Sequence, residues 1–145
     1  MHNDFKEFVV NLLNNDVKFI IVGAFALAFH GFPRNTGDID IWIYPDEKNS
    51  QNTLKSIEEF FGSTLGVSRD DILSGKIIQF GRAPVRIDLI TKLTGVDTDE
   101  LWEKKIQGKF SGLDVNYIDK DTFIKNKRAI GRSKDIADAD SLELD

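Results

Sequence analysis

Thr36-Gly37-Asp38-Ile39-Asp40-Ile41-Trp42-Ile43 is the stretch that decides how this chain folds. Ile39, Ile41 and Ile43 alternate with Asp38, Asp40 and Trp42, the period-two pattern of a half-buried strand. Successive side chains on a strand leave by opposite faces. Both carboxylates therefore emerge together, about 6–7 Å apart along one face, while the isoleucines enter the core. Two acids held so close repel each other unless a cation lies between them, so the pair invites a divalent metal ion. The same alternation also describes an edge strand with a solvated face, and the flanking sequence has to separate the two readings.

Upstream, residues 17–22 (Val-Lys-Phe-Ile-Ile-Val) form a short apolar run that reads as a buried strand ending at Gly23. Residues 24–30 are good helix formers, and Gly31 is a natural stop. A strand that turns through one glycine into a helix passes close to the helix N-terminus, where free N–H groups suit phosphate. Gly23 serves equally well if it merely permits a tight turn. Arg34 and Thr36, in the loop before Asp38, lie within reach of the carboxylates. Arg34 suits either a bidentate phosphate contact or an ion pair with an acid. His30, between Phe29 and Gly31, reads as a capping or packing residue.

Around this segment, residues 4–15 carry Phe5, Phe8, Val9, Leu12 and Leu13 at helical spacing. A second helix is expected over 47–61, closed by Gly62, and a helical turn at 70–73. Residues 76–80 and 85–90 read as two strands joined through Gly81-Arg82-Ala83-Pro84 as a hairpin. In the second, Arg86, Asp88 and Ile90 share a face, so Asp88 is a third lone carboxylate on an apolar strand. Packed beside the Asp38–Asp40 strand, that hairpin would bring the three acids together. The remainder reads as a helix over 97–106, a strand over 109–118 broken at Gly112, a helix over 119–130 and a polar helix over 132–142. Trp42 and Trp102 fit either a partner surface or the core and its rim.

A chain of 145 residues with 41% hydrophobic content supports one globular domain over 1–145. It has no cysteine, which excludes disulfides and thiolate metal sites. Met1-His2-Asn3-Asp4 shows no signal-peptide pattern, and no apolar run approaches membrane-spanning length, so a cytoplasmic location is expected. A net charge of −5 argues against strong non-specific nucleic-acid binding, which favours a basic face. It leaves room for a phosphate ligand held through a bound cation.

The order of these features, an apolar strand ending in Gly23, a short helix, the Asp38-x-Asp40 strand and a later strand with Asp88, resembles the nucleotidyltransferase superfamily related to DNA polymerase β. The likeness is to its small prokaryotic members, some of which occur in toxin–antitoxin or abortive-infection systems. It covers about residues 17–90 and is most specific over 22–41, with the helical tail over about 119–145 also similar. The resemblance implies an α+β fold, a mixed β-sheet with helices packed mainly on one face. It implies that Asp38, Asp40 and Asp88 are catalytic and hold two Mg²⁺ ions. It places a nucleoside triphosphate against Gly23, Ala24, Arg34, Thr36 and Lys134. The implied reaction moves a nucleoside monophosphate to a hydroxyl on a protein, an RNA or a small molecule, and releases pyrophosphate. One departure stands out: the family's turn is Gly followed by Gly or Ser, and here Ala24 follows Gly23. The lost hydroxyl keeps open the alternative of a catalytically reduced binding module acting as an antitoxin-like partner protein.

Overall fold

A computed structural model describes residues 3–82 and 84–144. Among the described residues it holds six strands and seven helices, a mixed α+β architecture. In chain order these are α1 (Asn3–Asn14), β1 (Phe19–Val22), α2 (Gly23–Phe29), β2 (Asp38–Ile43), α3 (Glu47–Phe61), α4 (Arg69–Leu73) and β3 (Ile78–Arg82). There follow β4 (Val85–Ile90), α5 (Thr98–Lys104), β5 (Ile106–Phe110), β6 (Leu113–Tyr117), α6 (Lys120–Ile130) and α7 (Ser133–Glu143). All six strands join one sheet in the order β3-β4-β2-β1-β6-β5. The β2–β4 and β1–β6 pairs are parallel and the other three antiparallel.

The alternation in β2 does what the sequence implied. Ile39, Ile41 and Ile43 are fully buried, while Asp38 and Asp40 keep partial exposure. Trp42 departs from the solvated option: it shares the face of the acids but is only 1% exposed. Tyr44 and Trp102 stack edge-on and tilted against it at 5.7 and 6.4 Å, so α5 covers that end of the strand. Both tryptophans thus belong to the core and its margin.

α3 buries a stripe of Asn49, Ser50, Thr53, Ser56 and Ile57, more polar than its leucine and phenylalanine spacing suggested. The hydroxyls are satisfied within the helix: Thr53 donates to the Asn49 carbonyl at 2.8 Å and Ser56 to that of Asn52 at 3.0 Å. Asn49 reaches out of it, accepting from the Lys18 amide at 2.7 Å and donating to the Lys18 and Tyr44 carbonyls at 2.9 Å. It pins the start of β1 to the end of β2. Asp46 caps this helix and Gly62, at φ +85°, ends it.

The stretch expected as one broken strand over 109–118 is a hairpin of β5 and β6. Ser111 and Gly112, both at positive φ (51° and 81°), form a two-residue turn of the kind that matches strand twist. β5 begins at Ile106, inside the helix expected over 97–106, because α5 ends at Lys104. Gly81 and Arg82, expected in the connection, lie in the ladder opposite Arg86 and Val85; Ala83 lies outside the described residues. No helix among the described residues is long and apolar enough to cross a membrane.

Candidate active site

Parallel pairing of β2 with β4 sets Asp40 opposite Asp88 and Asp38 opposite Arg86. Side chains in register on neighbouring strands share a face. Asp38, Asp40 and Asp88 accordingly offer carboxylate oxygens that all lie within 4.8 Å of one another. The sequence anticipated this convergence; the register produces it.

Each acid has a distinct environment. The Thr36 hydroxyl lies 3.1 Å from both the Asp38 carbonyl and its Oδ1, donating to one at a time, and accepts from the Asp38 amide at 3.3 Å. Asp88 is 5% exposed and accepts from Arg86 at both oxygens. Asp40 carries the electrostatic cost of the cluster. Burial first, then the charges of Asp38 and Asp88, push its carboxyl up from 3.8 to about 7, against the opposing pull of Lys127. Three hard oxygen donors in mutual repulsion, which Arg86 offsets at Asp38 and Asp88, match a divalent cation such as Mg²⁺.

Gly23 sits at φ +67°, where glycine alone is at ease, and begins α2 directly behind Asp40. Beside the acids lies a cavity of about 310 Å³, lined in part by Gly23, Ala24, Arg34, Thr36, Asp38 and Lys134. The residues assigned to nucleotide from the sequence therefore gather at one place. Of the seven residues of α2, the cavity touches the first two, Gly23 and Ala24. A second cavity, about 300 Å³ and partly apolar, adjoins Asp40 and shares Gly23, Lys127 and Lys134 with the first.

Arg34, open at the sequence level to phosphate or to an acid, is ion-paired with Asp138 of α7. Asp138, Lys127 and Arg86 were assigned no site role from sequence. Lys127 of α6 lines both cavities and lies 3.6 Å from the buried Asp135 of α7. Arg132 holds the same Asp135 at 2.7 Å, keeping its carboxyl below the usual carboxylate range. Arg86 was detectable, since it sits two residues before Asp88 on the same strand face. Asp138 and Lys127 carried no local signal. His30 packs as expected, its Nε2–H donating to the Ile118 carbonyl at 2.8 Å.

No protein-family model matches this sequence, and no curated protein does. Among solved structures, an inferred nucleotidyltransferase from Thermotoga maritima is similar across 97% of this chain and 88% of its own, with a TM-score of 0.54 and 16% sequence identity. The fold is similar to a nucleotidyltransferase fold. In that nucleotidyltransferase-like frame, the three acids stand on adjacent central strands beside the cavity that Gly23 and Lys134 help to line.

Proposed function

We propose that this protein is a Mg²⁺-dependent nucleotidyltransferase. It would move a nucleoside monophosphate from a nucleoside triphosphate to a hydroxyl on a protein, an RNA or a small molecule. The observation that carries this reading is the meeting of three aspartates within 4.8 Å beside a cavity walled by Gly23, Ala24, Arg34, Thr36 and Lys134. The nucleotidyltransferase-like fold supports it independently.

In the proposed reaction the acceptor oxygen bonds to the α-phosphorus, the bond from that phosphorus to the bridging β-oxygen breaks, and pyrophosphate leaves. The acceptor proton passes to a carboxylate of the triad or to water. Asp38, Asp40 and Asp88 would hold the metal, one or two ions, whose chemistry is to polarise the phosphate oxygens and neutralise charge on the departing group. Thr36 orients Asp38. Lys134 and Lys127 supply fixed positive charge to the phosphates, and Arg34 adds its own once released from Asp138.

A second reading, a catalytically reduced binding module with an antitoxin-like role, draws on two observations. Ala24 brings no hydroxyl to the turn, and Arg86 already neutralises two of the acids. Labelled-nucleotide transfer in lysate of the source cells separates the two, comparing wild type with Asp38→Ala/Asp40→Ala. Labelling that requires the aspartates supports the enzyme. Equal labelling by both proteins rules it out. Melting with MgATP, MgGTP, MgCTP and MgUTP identifies the nucleotide, since a ligand at 100 times its Kd contributes about 2.7 kcal/mol.

A further inference from the structure

Arg86 lies on β4 two residues before Asp88, so the pleat sends both side chains to one face. Its guanidinium donates to Asp88 Oδ1 at 3.1 Å and Oδ2 at 3.0 Å, and to Asp38 Oδ2 at 3.4 Å. A planar fork meeting one carboxylate at two points is the strong form of a charge pair. These are the carboxylates that would coordinate a divalent ion. A guanidinium on two of the three ligands and a dication among them would stand within a few ångströms as like charges, poorly screened where Asp88 is buried. The Arg86 side chain is 37% exposed, so it has a solvent route away from the cluster.

We propose that Arg86 is the resident counter-cation of the acidic triad, and that a divalent ion enters by displacing it, so that Arg86 sets the metal affinity of the site. This rests on the reading of Asp38, Asp40 and Asp88 as metal ligands. In the absence of metal the guanidinium keeps Asp38 and Asp88 together despite their charges. On entry of the ion the same carboxylates exchange one cation for another. The site thereby takes up free metal weakly, and stays assembled without it.

Titration with Mn²⁺, followed by the loss of its free electron paramagnetic resonance signal, tests this on wild type, Arg86→Gln and Arg86→Lys. Melting temperatures in EDTA and in Mn²⁺ accompany it. Arg86→Gln is expected to bind Mn²⁺ about tenfold tighter or more, to melt below wild type in EDTA and to gain more from Mn²⁺. Arg86→Lys, which keeps the charge but loses the fork, should fall between them. Should Arg86→Gln fold only with Mn²⁺ present, that is the same exchange in its extreme form, and Arg86→Lys carries the affinity comparison. Unchanged or weaker Mn²⁺ binding in both variants, with wild type still binding, overturns the role of Arg86 and leaves the metal site standing. No Mn²⁺ bound by any of the three overturns both.

Discussion

Gly23 leaves no room for a side chain because the Asp40 carboxylate occupies the space. A Cβ on Gly23 would fall 2.9 Å from Asp40 Cγ and would overlap Oδ2. The antiparallel register that pairs Val22 with Asp40 creates this contact. The glycine therefore answers two demands at once, a backbone at φ +67° and a neighbour that carries the proposed metal chemistry. Gly23→Ala should lower stability by about 1–3 kcal/mol through backbone strain alone. It should also push Asp40 aside and weaken Mn²⁺ binding. Urea unfolding and Mn²⁺ titration read the two effects separately, and an intact Mn²⁺ affinity would show that Asp40 tolerates the shift.

Asp40 makes the metal-free protein pH-sensitive in a defined direction. Its carboxyl titrates near 7 in the folded state and near 3.8 when unperturbed, so the folded state binds the proton more tightly. Stability from this group is fully present below about pH 4 and is lost as pH rises toward about 7. In EDTA the melting temperature should fall between about pH 5 and about pH 7.5. Asp40→Asn should flatten that slope, and Mn²⁺ should restore wild type more at the upper pH than at the lower. A flat wild-type profile in EDTA would contradict the crowding of acids described above.

Asp138 holds Arg34 and adds a negative charge to the cavity proposed for the triphosphate. Asp138→Asn is expected to tighten MgNTP binding several-fold by freeing the guanidinium, at a cost of about 1 kcal/mol in stability. Lys134→Ala should weaken the same binding several-fold. Thermal shifts against nucleotide concentration measure both, and opposite signs are the required result.

Ala24 invites the reverse experiment. Ala24→Ser introduces a hydroxyl at the cavity wall and should strengthen MgNTP binding several-fold, with little change in the melting temperature of the ligand-free protein. No gain in affinity would place the phosphates away from this turn.

Asn49 is a stability prediction independent of the site. Its amide satisfies the Lys18 amide and two carbonyls at the meeting of β1, β2 and α3. Asn49→Ala should cost about 2 kcal/mol in urea unfolding while leaving Mn²⁺ affinity unchanged.

The elements that carry the site were legible because their signals are local. Alternation in β2, the Gly23 turn into α2 and the lone acid of β4 each occupy a handful of consecutive residues, and strand period and glycine chemistry act at that range. The β5–β6 hairpin was missed for the converse reason. Its turn is made by Ser111 at positive φ, a conformation serine seldom adopts, so Gly112 alone looked like a break in one strand.

From the chain of letters alone it followed that Asp38 and Asp40 leave one face of a strand and that Asp88 stands alone on another. The tertiary structure decided that β4 lies parallel to β2 with Asp88 opposite Asp40, and that Arg86 thereby lands between Asp88 and Asp38. It also decided that α7 returns Asp138 to Arg34 across the cavity. Register between strands, and the docking of a distant helix, depend on contacts between residues far apart in sequence, and no periodicity along the chain encodes them.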